Sequence, residues 1–436
     1  MKKKLVSMLM VTMLVGSLFV GCGSKENKDE ETSGNDTQES SGDVDSDAVL
    51  SVSIWDTYQE PGIKKILDSF TDKTGIETEL SVITWSEYWT ILEAGAQGGD
   101  LPDVFWMHSN ESQRYMENDM LLNLSEQIEA SEEIKPENYP ADILELYKME
   151  DDTYAVPKDI DTIAVWYNKA MFDEAGVPYP TADWTWEEMG EIAKKLTNKD
   201  KNQYGIAVRN DGNQEGYYNM VYANDGCVVN DDKTASGWDD PKTIEAMEVF
   251  ESWIQAGVMP SLETMSENDP PTLFQSGTAA MVIQGSWMLS AYKDNEYTVE
   301  NADIVELPVN SKTGRRVSVY NGLGWAASAN TEYPEESWKL IEYLGSKEGQ
   351  TMQAELGVTM SAYKGTSDAW VNSADFNLEA YMNMMDDMVI RPYSRSTVTW
   401  ENEDSEILKG VYSGEITMEE ACKQMAKQMN DKLAEE

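Results

Sequence analysis

Two periodicities alternate along the chain from Val49 onward. Leu50, Val52 and Ile54 alternate with Ser51 and Ser53, a strand pattern that ends at Trp55-Asp56. Ile63, Ile66, Leu67 and Phe70 then fall at helical spacing, and Gly75 closes that helix as a C-terminal cap. Ile76, Thr78, Leu80 and Val82 alternate again, against Glu77, Glu79 and Ser81, and a second helical stretch covers about Ser86 to Ala96. Gly98 to Asp103 turn the chain into a short apolar strand, Val104-Phe105-Trp106. Strand, helix, strand, helix, strand predicts parallel pairing through right-handed crossovers, and so an α/β lobe. Further strands are predicted at Tyr154–Pro157, Ile163–Tyr167, Met281–Ile283 and Ile304–Leu307. Helices are predicted at Trp186–Leu196, Pro241–Ala256 and Glu335–Leu344. No fixed-period repeat is present, which disfavours a solenoid or propeller.

The segment ahead of Val49 has neither period. Lys2, Lys3 and Lys4 precede an uncharged run from Leu5 to Val20, which Phe19-Val20-Gly21-Cys22 closes. A basic start, an apolar stretch and a small residue before the cut make residues 1–21 a signal peptide by pattern. A cysteine directly after that small residue resembles the bacterial lipobox, in which the thiol is lipidated before cleavage. Phe19 departs from it, since lipoboxes usually carry Leu at that place. The run is long enough to span a bilayer, but Gly16, Ser17, Gly21 and Gly23 weaken a helix and an acidic tract follows. Residues 22–48 are expected to be the lipidated Cys22 and an acidic, Ser/Gly-rich linker that cannot bury enough surface to fold.

Length and charge narrow the function classes. At 436 residues the chain exceeds one ordinary domain. Its formal charge of −47 opposes binding to nucleic acid, which needs Lys and Arg to displace counterions, and opposes docking on anionic lipid. The single histidine, His108, removes His-based zinc sites and confines any His–Asp pair to one place. Cys227 and Cys422 remain once Cys22 is assigned; with no CxxC spacing, a free pair and a disulfide both stay open.

Several landmarks stand in order along the body: Trp55-Asp56; Gly99 to Trp106, reading GDLPDVFW; Tyr154-Ala155-Val156-Pro157; Trp166-Tyr167-Asn168-Lys169; and Trp184-Thr185-Trp186-Glu187-Glu188. Gly277 to Met281, Gly285-Ser286-Trp287 and Gly324 to Ser328 follow. From Val49 to Leu433 the chain resembles the extracellular solute-binding proteins of ABC importers, in the maltose-binding-protein-like sugar-binding group. The resemblance implies a type II, two-lobed periplasmic-binding-protein-like α/β fold with a ligand cleft between lobes joined by a hinge of several crossings. It implies a first lobe of residues 49–158 plus 309–360 and a second of 159–308 plus 361–436. Crossings would then fall near Lys158-Asp159, Pro308-Val309 and Met360-Ser361.

A sugar presents apolar C–H faces, which aromatic rings cover, and hydroxyls, which carboxylates and amides fix. By the resemblance Trp106, Trp287 and Trp400 match ring-stacking positions, and Tyr218 lies where the second lobe offers an aromatic. Asp159 and Asp161 flank the first crossing, where the family often places a ligand-binding acid. His108 and Asn110 follow Trp106 in the loop, and Ser109 stands where the group carries an aspartate; His108 either donates to a ligand or caps the loop. Trp55 and Asp56 end the first strand and either line the cleft or point to the core. Trp325, a further ligand-binding candidate, lies in a Gly-rich strand approaching the hinge and could serve either end. Trp85, Trp166, Trp184, Trp186, Trp253 and Trp338 fit core positions.

The expected function is that of a lipid-anchored receptor on the outer face of the membrane of a Gram-positive cell. It would capture a carbohydrate, an oligosaccharide by expectation, through hinge closure. It would then deliver that ligand as a monomer to the permease of an ABC transporter. No catalytic residue, cofactor or metal is implied, and no nucleic-acid partner. Two alternatives stand beside it: the same fold binding a polyamine, metal chelate or peptide, and an extracellular glycosidase or lyase built on paired carboxylates.

Overall fold

A computed structural model describes residues 48–436; Cys22, the leader and nearly all of the linker lie outside the described residues. The strands that frame the fold are, in chain order, β1 (Val49–Ile54), β2 (Glu77–Val82), β3 (Val104–Met107), β4 (Ala155–Pro157), β5 (Ile163–Asn168), β6 (Met281–Gly285), β7 (Ala302–Glu306), β8 (Ser318–Tyr320), β9 (Gly324–Ala327) and β10 (Met388–Ile390). The helices used below are α1 (Glu60–Thr74), α2 (Trp85–Gly98), α3 (Ser109–Glu117), α4 (Pro334–Gly345), α5 (Lys347–Glu355) and α6 (Thr397–Ser413).

One sheet runs β2-β1-β3-β9-β4, with β1 parallel to both β2 and β3 and β9 antiparallel to β3 and β4. The expected parallel αβ frame is therefore present, closed by an antiparallel strand from much later in the chain. The alternation in β3 divides its side chains between two cores. Val104 and Trp106 pack with Ile63, Ile66 and Phe70 of α1 and with Leu340 and Ile341 of α4. Phe105 and Met107 join Tyr88, Leu92 and Tyr115 on the other face. Helix α1 stops where Gly75 takes φ +78° and returns its N–H to the Thr71 carbonyl, the left-handed cap that the glycine allows.

The second lobe is built on β6-β5-β7, antiparallel on both sides of β5, whose six residues are all buried. Its core gathers Val165, Ile283, Trp186, Trp253 and Trp238, and helix α6 brings Leu408 and Val411 to it. β8 pairs in parallel with β10 beside this sheet. Among the described residues, Cys227 and Cys422 are unpaired.

The chain passes between the sheets over residues 158–162 and again over residues 321–323. The second passage lies later than the Pro308-Val309 expected. Residues 309–316 pack on the second lobe: Val309 N–H donates to the Trp184 carbonyl (2.8 Å) and Thr313 Oγ1 to the Ala223 carbonyl (2.6 Å). At the third expected crossing Met360 and Ser361 lie against the first passage, with Ile160 N–H donating to the Met360 carbonyl at 3.2 Å, and just after them Lys364 N–H donates to the Asn138 carbonyl at 2.8 Å. A core that includes Ile160, Tyr320 and Met360 runs through the hinge from one lobe to the other.

At the first passage Lys158 is fully enclosed and Asp159 nearly so. Lys158 Nζ lies 2.6 Å from Asp159 Oδ2 and 3.2 Å from Gln59 Oε1, and stands 4.3 Å over the Trp106 ring. The other Asp159 oxygen accepts from Leu323 N–H at 2.7 Å, tying the first passage to the second. Gly322 permits this approach, since a Cβ there would fall 2.3 Å from the Asp159 carbonyl oxygen. Removing one partner of a buried pair strands the other charge, so Lys158→Met should cost about 3–5 kcal/mol. Urea unfolding checks it; the double variant Lys158→Met/Asp159→Asn should lose less than the single one.

Candidate functional site

Trp55 follows β1 and sits at the centre of an aromatic cluster. Its ring centroid is 4.9 Å from Trp106, 5.0 Å from Tyr88, 5.1 Å from Trp85 and 5.9 Å from Trp89, and most of these pairs meet edge to face. Trp85 extends the cluster to His108 at 5.5 Å and is 44% exposed, so it is not the core residue that its spacing suggested. Trp85, Trp89 and Tyr88 share the first turns of α2, which lays them along the end of the sheet. Trp55 is itself partly exposed.

Asp56 does not point into this cluster's open side. Its carboxylate accepts from Tyr58 N–H (2.8 Å) and from Gln59 Nε2 (2.8 Å), organising the turn into α1 and the glutamine that reaches Lys158. Asp159 and Asp161 are likewise turned to the hinge. Asp161 Oδ1 accepts from Asn321 N–H at 2.9 Å and from Gln214 Nε2 at 2.8 Å. Burial, with Asp159 adding to it, holds the Asp161 carboxyl well above the usual carboxylate range.

His108 caps α3: its Nδ1 accepts from Asn110 N–H at 3.2 Å. Its Nε2 lies 3.2 Å from the Asn321 side-chain amide. Burial and the neighbouring Arg391 charge push the imidazole down to about 3, so it is neutral. With Nδ1 accepting, the ring proton is on Nε2; the Asn321 atom nearest to it is Nδ2, so an Nε2–H bond to this amide requires the amide turned about to present Oδ1. Asn110 Oδ1 and Ser109 Oγ are buried without a partner.

The second lobe meets this end of α3 with Arg391, which follows β10 and is 5% exposed. Its Nη2 lies 2.5 Å from Glu401 Oε1, and its Nη1 is buried without a partner. Asn213 Nδ2 (3.0 Å) and the Tyr218 hydroxyl (3.3 Å) donate to the same Glu401 oxygen. Glu215 lies in the wide turn Asn213–Tyr217, where burial raises its carboxyl. Near the lips Arg395 Nη1 is 3.2 Å from Glu117 Oε1 at the end of α3, joining the lobes.

Of the other expected site residues, Trp287 is partly exposed and folds over Gly285, where a Cβ would fall 1.9 Å from its Cζ3. The Tyr218 ring is buried in the second-lobe core, and only its hydroxyl reaches the Glu401 cluster. Trp106 and Trp400, expected as ring faces for a ligand, and Trp325, a further candidate, are enclosed by protein here. Trp106 and Trp325 pair at 5.9 Å because their strand registers put both on the α1/α4 face. Trp400 lies on the buried stripe of α6 with Asp404, Leu408 and Val411, its indole N–H on Ser394 Oγ at 3.1 Å. Arg391, Glu401, Gln214 and Asn321 were not singled out from the sequence. Glu401 directly follows Trp400 and Asn321 precedes two glycines, the only local signals either carries.

A neutral buried histidine is a measurable expectation. The His108 ring resonances, the single set in the spectrum, should not shift between pH 8 and pH 5. Its folded value lies below the unfolded 6.5, so its contribution to stability is present above that value and is lost as pH falls toward about 3. An NMR titration with a midpoint near 6.5 would contradict the buried cap.

The chain matches the bacterial extracellular solute-binding protein family over residues 65–383. It is 24% identical over 267 residues to a putative binding protein of Brucella abortus (strain 2308), a match covering 60% of this chain and 63% of that protein. The match thus spans less than two thirds of that relative's length. It is 20% identical over 379 residues to the galactooligosaccharide-binding protein of Bacillus subtilis (strain 168), covering 84% of this chain and 82% of the relative. Its fold is similar to that of an ABC substrate-binding protein from Listeria monocytogenes solved in complex with cycloalternan, with a TM-score of 0.82 and 22% identity, over 89% of this chain and 99% of that one. The GacH receptor of Streptomyces glaucescens is similar too, with a TM-score of 0.77 and 18% identity, over 89% and 98%. These likenesses identify the fold as the two-lobed type II architecture of periplasmic binding proteins. The chain belongs to the bacterial extracellular solute-binding protein family.

Proposed function

We propose that this protein captures a carbohydrate in the cleft between its lobes and delivers it to the permease of an ABC transporter, without catalysing a reaction. The observation that carries the proposal is the division of labour at the cleft. The first lobe contributes a partly exposed aromatic cluster around Trp55 and Trp85, and the second contributes the amide, hydroxyl and carboxylate groups around Glu401. Rings suit the C–H faces of a sugar, and the polar groups suit its hydroxyls. Asn110 Oδ1 and Arg391 Nη1, buried without partners on opposite sides, are the groups a ligand bridging the lobes would satisfy. Relatives whose names specify sugars, among them the galactooligosaccharide-binding protein and a multiple sugar-binding protein of Streptococcus mutans, support the same class.

Calorimetry against a panel of mono- and oligosaccharides should find a ligand that also changes the tryptophan emission of the Trp55 cluster. Heat with a polyamine or peptide and none with any glycan would replace the carbohydrate by that solute.

The address follows the function. Cys22 is the lipid anchor in this proposal, and residues 22–48 are the tether that raises the receptor's effective concentration at its permease. The anchored form is a monomer on the outer face of a Gram-positive cell membrane. Cys22→Ser should move the protein from the membrane fraction to the medium; full retention in the membrane would remove the anchor from the account.

A further inference from the structure

Arg391 is a buried cation with half of its guanidinium spoken for. Nη2 is held by Glu401, whose accepting oxygen is fixed from two other sides by Asn213 and Tyr218, so the pair cannot easily rearrange. Nη1 is buried and has no partner. A buried donor left unmade is costly, and its geometry is set by the fork that Glu401 already grips.

The cations around this donor are already matched. Glu401 balances Arg391, Asp159 balances Lys158, and His108 is neutral. Glu215 adds a further carboxyl within electrostatic reach of the guanidinium. An anionic ligand would find no unmatched cation among these groups and would be buried beside carboxylates of its own sign. A hydroxyl or ring oxygen accepts from Nη1 and leaves the charge balance unchanged.

We propose that Arg391 is a specificity-determining residue of the cleft: its Nη1 donates to an uncharged oxygen of the bound glycan, and its pairing with Glu401 selects neutral sugars against sugar acids. This rests on the carbohydrate function proposed above and narrows it to neutral glycans.

The test is calorimetry of the protein with neutral galacto- and malto-oligosaccharides and with oligogalacturonates of matched length. Neutral glycans should bind at least ~10-fold more tightly than the acids, and Arg391→Met should weaken the neutral ligand by ~10-fold or more, the worth of one bond to a charged donor. Glu401→Gln, which uncovers the guanidinium charge, should move the preference toward the uronate by ~10-fold. Uronates binding as tightly as neutral glycans to the unaltered protein would overturn the inference and leave the carbohydrate function standing. So would unchanged neutral-glycan affinity in Arg391→Met. If that variant fails to fold, an unchanged preference in Glu401→Gln overturns it in the same way. No heat with any glycan would overturn the carbohydrate function and this inference together.

Discussion

Lys158 and Asp159 are adjacent in sequence, nearly sealed from water, and held 2.6 Å apart where the chain leaves the first sheet. Two charges taken out of water cost several kcal/mol each unless their remaining hydrogen-bonding capacity is met. Here it is met by elements from distant parts of the chain: Gln59 at the start of α1, Leu323 in the second passage, and Thr359 near the third. The pair therefore adds to the backbone bonds and the core around Ile160, Tyr320 and Met360 that draw these passages together. Glutamines from α5 complete the arrangement by donating to the Lys158 carbonyl, Gln350 and Gln353 each at 2.9 Å.

The position of the site follows from that knot. Fixing residues 158–161 against residues 321–323 sets Asn321 beside His108 on one side and puts Asp161 against Gln214 on the other. Arg391 enters at the same level because its own N–H donates to the Tyr320 carbonyl at 2.7 Å. The aromatic cluster and the polar cluster thus belong to different cores and meet at a hinge whose residues are too tightly paired to improvise. Lobe motion would have to be borne by backbone torsions within the passages, while the side chains on either wall keep their places.

The frame of the fold was legible because its signals are local. β1 and α1 announce themselves through strict alternation and a 3–4 spacing, and Gly75 caps α1 as its sequence context implies. The site was only half legible. Trp55 stood out by its place at a strand end, whereas Trp85 looked like a core residue because a helix period cannot say which face meets solvent at the end of a sheet. Trp106 and Trp325 carried the resemblance yet lie under the sheet, since one residue of register decides the face. Arg391 carried no pattern, and Glu401 only its place after Trp400. Their pairing spans ten positions in chain order and depends on β10 finding β8, a contact that neither segment's short apolar run encodes.

What remains unpaired in the cleft bears on how a ligand could close it. A buried donor or acceptor without a partner costs about 1–3 kcal/mol, and Asn110 Oδ1 and Arg391 Nη1 supply one of each, from opposite lobes. Satisfying both would favour the closed arrangement by about 2–6 kcal/mol, against the ~5.5 kcal/mol that carries a two-state equilibrium from 1:99 to 99:1. A ligand that reached only the aromatic wall would gain apolar contact without distinguishing open from closed, because that wall is complete within the first lobe. Differential affinity for the closed state must therefore come from the polar side, where the groups lie in both lobes. On the proposed function, the second-lobe cluster around Glu401 would be the part of the cleft that couples binding to closure, and the tryptophans would supply affinity without direction.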